Sequence, residues 1–362
     1  MFETDLDKIL DKIAVIDPIK YGKSRNYIDG AVTKLSPYIS RGVISTKQIM
    51  KSVLDKGYKP YQIDSFLKEL AWRDYFQQVW LNKNIDTDIK QLQPNTKNYK
   101  IATAITTANT GITAIDNGIN ELQKTGYMHN HLRMYTASIA CNIAGSHWQM
   151  PAQWMYYYLL DADWASNACS WQWVAASFSS KKYVANQENI NRYCNTNQTN
   201  TFLDIAYEAF DNLPIPTELQ QLTTLDLKTN LPQKTAIKFD VSKPTFIYNF
   251  YNLDANWKKD EVGNRILLLE PSFFETYPVS NNTINFMLAL AKNIENIQVY
   301  VGEFNELVKE HNINNIYFKE HPTNQHFKGI QENRDWMFSE VKGYYPSFFA
   351  YWKKCEKYLK SY

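Results

Sequence analysis

The chain is poor in the residues that staple or cluster. Its four cysteines, Cys141, Cys169, Cys194 and Cys355, are scattered over 362 residues and form no CxxC pair. That argues against disulfides, a zinc ribbon and an iron–sulfur cluster, and it suits a reducing, cytoplasmic setting. No apolar run approaches the roughly 18–20 residues of a membrane span. The opening MFETDLDKILDKIAVI is acidic and lacks the basic-then-apolar order of a secretory signal. There is no GxGxxG and no GxxxxGK[ST], so no standard phosphate loop. His129 and His131 are two apart, which turns them about 200° from each other on a helix. With no HExxH and no Cys/His cluster, no metal site is expected. No internal repeat is present.

Aromatics are abundant: 25 Tyr, 18 Phe and 10 Trp make up 15% of the chain. Rings in that number serve planar ligands, nucleobases and redox cofactors, and equally a large core. Net charge is +2, but residues 1–200 hold 22 Lys and Arg against 17 Asp and Glu, and residues 201–362 hold 17 against 20. A mildly basic first half suits phosphates and also suits plain solvation.

The first 190 residues read mostly as helices. Residues 45–57 open on a serine cap and close on Gly57. The stretches 62–83, 111–126, 129–144 and 151–163 carry apolar residues at helical spacing. From 194 to 242 the chain turns rich in Asn, Gln, Thr and Pro, which predicts a partly ordered connector. Short apolar runs at 245–250, 265–270, 297–302 and 315–320 follow, the later ones with helical patterns between them. That alternation predicts parallel strands with crossover helices. The expected organisation is a helical domain over 1–193, a connector over 194–242, a small α/β domain over 243–330 and a C-terminal helical segment over 331–362.

Four stretches carry candidate chemistry. In KELAWRDYF, Glu69, Trp72, Arg73 and Phe76 share one helix face. Such a face can stack on a planar ligand and grip its polar edge, or it can be a solvated face with a Glu69–Arg73 pair. In TGYMHNHLRMYTAS, Asn130, Arg133 and Met134 fall at i, i+3 and i+4. In LLDADWASNACSWQWVA, Asp161, Asp163 and Asn167 stand among tryptophans, and Trp171 and Trp173 flank Gln172. Buried aspartates need a positive partner, which Arg133 can supply. The plainer reading is a helix cap at Asp163 and core indoles. Thr33 and Ser36 stand with Arg25 and Lys34 around a loop entering a helix, an arrangement suited to a pyrophosphate or to an ordinary capped turn.

In order, TKLSPYISRGVIS, ELAWRDYF, GYMHNHLRM and LLDADWASNACSWQWVA resemble the FAD-binding domain of the photolyase/cryptochrome family, over roughly residues 20–190. The resemblance implies a mainly α-helical FAD-binding domain, here followed by a small α/β domain with a mostly parallel sheet. Family members usually place their α/β domain first, so the order implies a circular permutation. By motif matching, Tyr21, Thr33, Leu35 and Ser36 line the FAD phosphates, and Arg73 and Asn130 face the adenine or diphosphate side. Arg133 and Asp161 pair against the isoalloxazine, Asp163 holds its polar edge and Asn167 sits beside N5.

The resemblance further implies light-driven repair of cyclobutane pyrimidine dimers in UV-damaged DNA, single- or double-stranded. Glu69, Trp72, Asn130, Met134 and Trp173 match the substrate positions, with the two tryptophans sandwiching the flipped bases. Glu69, Asn167, Trp72 and Trp173 are the candidate catalytic set. The branch that repairs (6-4) lesions uses a histidine at the position of Asn130. Trp171 and Trp148 match the inner members of the family's electron-transfer chain, and Tyr99 or another tyrosine is left for the outer one. No antenna chromophore, metal cluster or membrane partner is expected. The alternative is a cryptochrome-like blue-light photoreceptor that binds FAD and signals through a partner without repair.

Overall fold

The computed structural model describes residues 2–360. The chain forms two compact units. One comprises Met1–Pro18, Thr33–Leu81 and Lys228–Tyr362, the other Ile19–Val32 and Asn82–Leu227. These divisions do not coincide with the segment limits at 193 and 242 drawn from composition.

The first unit is built on strands and crossover helices. Two short strands come earlier in the chain: β1 (Ile101–Ala102) and β2 (Leu222–Thr223) pair antiparallel within the second unit. The first unit holds β3 (Thr245–Tyr248), β4 (Asn264–Leu269), β5 (Ile297–Val301), β6 (Ile316–Lys319) and β7 (Ile330–Glu332). They lie in the order β5-β4-β3-β6-β7, every pair parallel. β3 and β4 are buried along their whole length, as strands covered on both faces must be. Ile247, Ile266, Leu268, Tyr300, Phe304, Leu307 and Phe318 form the core on one side of the sheet. The strand order reverses between β3 and β6, the place where open α/β sheets take ligands at their carboxyl ends. Here the chain's own rings pack that place. His321 stacks on Tyr251 at 4.1 Å and meets Trp80 edge-on at 5.2 Å. The Arg41 guanidinium lies 3.4 Å over Phe250. Burial, then the nearby Arg334 and Arg41, hold His321 well below the usual histidine range.

The Asp64–Asn82 helix anchors the C-terminal segment through buried polar side chains. Gln77 Oε1 accepts from Arg334 Nη1 at 2.6 Å, and Gln78 Oε1 accepts from the Gly343 amide at 3.0 Å. Asp74 accepts from Thr46 Oγ1 at 2.9 Å and from the Met337 amide at 2.7 Å. Of the 331–362 segment expected to be helical, the helix covers Phe348–Leu359. In the stretch before it, the Met337 and Gly343 amides are taken up by Asp74 and Gln78 of the Asp64–Asn82 helix, while Trp336 and Val341 make only local turn bonds.

Burial raises the Asp74 carboxyl to about 6, against its hydrogen bonds and the nearby arginines. The folded state therefore binds the proton more tightly than the unfolded chain. The stabilisation is fully present below about pH 4 and is lost as pH rises through about 6, on the order of 2 kcal/mol in all. Asp74→Asn can accept from Met337 and donate to Thr46. It is expected to flatten the slope of denaturant stability against pH in that window, and an unchanged slope in the variant contradicts the assignment.

The second unit is helical, with Thr113–Thr125, Asn130–Ser138, Gln149–Tyr158, Trp164–Val174 and Gln187–Cys194 as its main helices. Asn130–Ser138 runs on into one π-helical turn, Ile139–Ile143, so the stretch read as one helix over 129–144 changes pitch midway. Trp148, Trp154, Trp164, Tyr135 and Tyr156 are at most 1% exposed and fill the core. Gly126 ends its helix at φ +75°, and a Cβ there would lie 2.5 Å from the Leu160 side chain. Both facts call for glycine.

The Asn- and Gln-rich stretch after 194 is more tied than its composition predicts. Ile112, the residue capping Thr113–Thr125, offers no side-chain acceptor. Gln198 replaces it: its Oε1 accepts from the Thr113 amide at 2.8 Å and its Nε2 donates to Gly111 at 2.7 Å. Asn191 Nδ2 in turn donates to the Gln198 carbonyl at 2.8 Å.

Candidate functional site

In the second unit, Arg133 and Asp161 form the predicted pair. Arg133 Nη1 lies 3.1 Å from Asp161 Oδ2, with 21% and 5% of the two side chains exposed. Arg133 Nε also donates to the Met128 carbonyl at 2.9 Å, which aims the guanidinium back along the start of its own helix. Asp163 is the cap of Trp164–Val174, its Oδ1 accepting from the Ser166 amide at 3.0 Å. The plainer reading of Asp163 is thus realised, whatever else its carboxylate holds. One turn on, Asn167 is buried, and its Nδ2 donates to the Ala152 carbonyl at 2.8 Å. That bond fixes the plane of the amide. Asn130 is exposed at the start of its helix, Met134 is half-buried four residues later, and Tyr21 is half-buried in Pro18–Ser24.

The WQW triplet divides its work by direction. Trp171 is 2% exposed and Trp173 is 40% exposed. Gln172 between them is fully buried; its Oε1 accepts from the Ile89 amide at 2.9 Å, and its Nε2 donates to the Ile85 and Thr87 carbonyls at 3.0 and 3.2 Å. The loop so held carries Asp86 and Asp88, residues that sequence reasoning missed. Asp86 Oδ1 accepts from Trp164 Nε1 at 2.6 Å, and Asp88 Oδ1 accepts from Trp148 Nε1 at 2.7 Å. Each buried indole N–H thereby finds an acceptor, as buried polar groups must. Nothing in the local pattern of NIDTDI signals this, because the partners lie more than fifty positions away.

These indoles belong to a run of rings. Trp164 and Trp148 are 6.3 Å apart, Trp148 and His147 5.6 Å, and His147 and Tyr99 5.0 Å. Tyr99 is 71% exposed, so the run leads from the core to the surface. Burial lowers the His147 pKa although Asp88 is near and opposes this.

In the first unit, Thr33, Leu35 and Ser36 lie on the loop entering Ser36–Ser40. Lys34 takes the left-handed backbone at φ +53°, an uncommon conformation for a lysine. Thr33 Oγ1 accepts from the Leu35 amide at 3.4 Å. Arg73 reaches the same segment, Nη1 donating to Ser40 Oγ at 2.6 Å. The structure thus ties Arg73 to the last residue of the helix that this loop enters. Glu69 and Trp72 are half-buried on the same helix. Trp72 stacks on Phe348 at 3.8 Å with the planes 10° apart, a neighbour with no signal in the motif.

A family model for the FAD binding domain of DNA photolyase matches residues 66–205. Over that stretch the chain is similar to the FAD-binding domain of photolyases and cryptochromes. A deoxyribodipyrimidine photo-lyase of Alkalihalophilus pseudofirmus is 32% identical over 150 residues, covering 40% of this chain and 31% of that protein. A cryptochrome DASH of Ostreococcus tauri is 31% identical over 163 residues, covering 42% of this chain and 30% of that protein. The match spans about a third of the length of these curated relatives. A solved cryptochrome of Synechocystis is 24% identical, covers 60% of this chain and 48% of that one, and has a TM-score of 0.44. Within the matched stretch lie Glu69, Trp72 and Arg73 of the first unit and, in the second, the Arg133–Asp161 pair, Asp163, Asn167, Trp171 and Trp173. Tyr21, Thr33, Leu35 and Ser36 precede the matched stretch.

Proposed function

We propose that the chain is a light-driven, FAD-dependent enzyme that splits cyclobutane pyrimidine dimers in DNA. The observation that carries the substrate half of this reading is the exposure of Trp173. It keeps 40% of its surface in solvent while Trp148, Trp154, Trp164 and Trp171 are at most 2% exposed. An indole held out on a rigid, capped helix forgoes the burial that stabilises its neighbours, and a stacked base would cover it.

The donor set suits a flavin. The Arg133–Asp161 pair supplies a partly exposed cation whose counter-charge is buried, and it would lie against the isoalloxazine. Asp163 would hold the ring's polar edge. The fixed amide of Asn167 offers N5 an uncharged neighbour, which avoids the repulsion that a carboxylate would add beside a reduced, anionic ring. Tyr21, Thr33, Leu35, Ser36, Arg73 and Asn130 would take the phosphate and adenine side. When bound, reduced FAD supplies the photoexcitable electron donor. Glu69, Trp72, Asn130, Met134 and Trp173 would bind and orient the extruded pyrimidines. Their stacking surface offsets the cost of flipping, which is lowest at an already unstacked lesion. Trp171 and Trp148 would carry electrons, and from Trp148 the ring contacts through His147 would make Tyr99 the surface end. The five-stranded parallel sheet that follows supports the reading of a relocated α/β domain, a circular permutation of the family's order.

Glu69→Ala tests the substrate pocket. The variant is expected to keep its flavin absorbance and to lose at least tenfold in dimer splitting per photon, the scale of one lost hydrogen bond to a charge-bearing substrate. Full activity in a flavin-loaded Glu69→Ala protein rejects the pocket. Bound flavin without repair in the unaltered chain favours the photoreceptor reading.

A further inference from the structure

We infer that Phe348 and Trp352, on the C-terminal helix and outside the family-matched stretch, form the back wall of the Trp72 stacking platform. The inference rests on the proposed role of Trp72 in base stacking. Three rings are piled nearly parallel: Trp72 on Phe348 at 3.8 Å and 10°, and Phe348 on Trp352 at 6.2 Å and 16°. Phe348 is 2% exposed and Trp352 3%, whereas Trp72 keeps part of its surface in solvent. Trp72 is thus the solvent end of the pile. Phe348 covers one face of the indole at van der Waals distance, and Phe76 and Tyr75 meet it at 5.2 and 5.7 Å, so the accessible part of Trp72 is the surface these three rings leave open. A base added there continues the pile.

The wall is a fixed part of the unit, not a swinging cover. Tyr75, one residue from the platform's neighbour Phe76, donates from its hydroxyl to the Tyr345 carbonyl at 3.2 Å and packs against Tyr351 at 5.7 Å. Tyr351 is 1% exposed. Lys68 Nζ stands 5.8 Å from the centroid of the Trp352 ring. Segment 334–343 is tied to the same helix by Asp74, Gln77 and Gln78. Phe348 is therefore a positioning residue. It fixes the indole's tilt and spares the incoming base the cost of ordering it, which is how preorganisation raises affinity.

The test uses the flavin-loaded full chain and a short single strand with or without one thymine dimer. Phe348→Leu keeps an apolar side chain of similar volume and removes the flat ring. Fluorotryptophan labelling, with the Trp72 resonance assigned by its loss in Trp72→Phe, reports the stack directly. We expect Phe348→Leu to shift that resonance and to weaken binding of the damaged strand about fivefold, within the range of one base–aromatic stack. Undamaged-strand binding should stay unchanged. Tighter lesion binding in Phe348→Leu would make the ring a competitor of the base and overturn the inference, as would an unmoved resonance. Lesion preference lost in Trp72→Ala but intact in Phe348→Leu rejects the wall alone. Lesion preference intact in Trp72→Ala rejects the platform itself, and the repair pocket with it.

Discussion

Asp161→Ala is expected to yield a protein that purifies without bound flavin. The carboxylate is 5% exposed and faces Arg133 Nη1 at 3.1 Å. Removing it strands a guanidinium that is four-fifths buried and keeps the bond from Nε to the Met128 carbonyl. Breaking a buried pair from one side costs about 3–5 kcal/mol when both charges are fully enclosed. With Arg133 partly open to solvent, about 2 kcal/mol is the expected loss in stability. The larger effect falls on the cofactor, because the pair is the proposed support of the isoalloxazine. The ratio of flavin to protein absorbance should drop to a few per cent of the unaltered value, or about a 2 kcal/mol loss in binding. Asp161→Asn, which keeps an acceptor for the arginine, should retain more flavin than the alanine variant. Full occupancy in Asp161→Ala would remove the pair from the cofactor site.

Trp164→Ala is the largest expected loss of stability, about 3–5 kcal/mol for a fully buried tryptophan. The ring is 1% exposed, meets Tyr156 edge-on at 5.4 Å, and lies 6.3 Å from Trp148. Its Nε1 donates to Asp86 at 2.6 Å. Truncation leaves a cavity and deprives Asp86 of this donor. It also loosens the first turn of the helix that carries Asp163 and Asn167. Trp164→Phe keeps most of the volume and should lose less, the difference reporting the Asp86 bond. Denaturant unfolding followed by far-UV circular dichroism measures both, and a loss below about 1 kcal/mol in Trp164→Ala would contradict the packing.

The sheet was largely legible from local pattern. The apolar runs at 245–250, 265–270, 297–302 and 315–320 correspond to β3, β4, β5 and β6, with ends shifted by at most two residues. β7 was not legible: three residues at an edge, two exposed and one half-buried, carry no apolar run. β1 and β2 are two residues each and exist only through their partner 120 positions away. The same distance rule divides the site. Arg133 and Asp161 were readable as a pair because a buried carboxylate needs a cation and one helix offered it. Asp86, Asp88 and Phe348 were not, since their roles arise from indoles far along the chain. The density of carboxylates and indoles between 159 and 175 has a double origin. One aspartate balances an arginine, another caps a helix, and the tryptophans divide between core and surface. The expectation of a permuted domain order and the assignment of roles to site residues came from motif resemblance, not from periodicity.

The most direct test of the central claim is to illuminate the reduced, flavin-loaded chain with DNA carrying cyclobutane thymine dimers and to follow thymine absorbance. The account predicts recovery of that absorbance in the light, none in the dark, and no net oxidation of the flavin. Flavin-loaded protein that binds the damaged strand and restores nothing under light would contradict it.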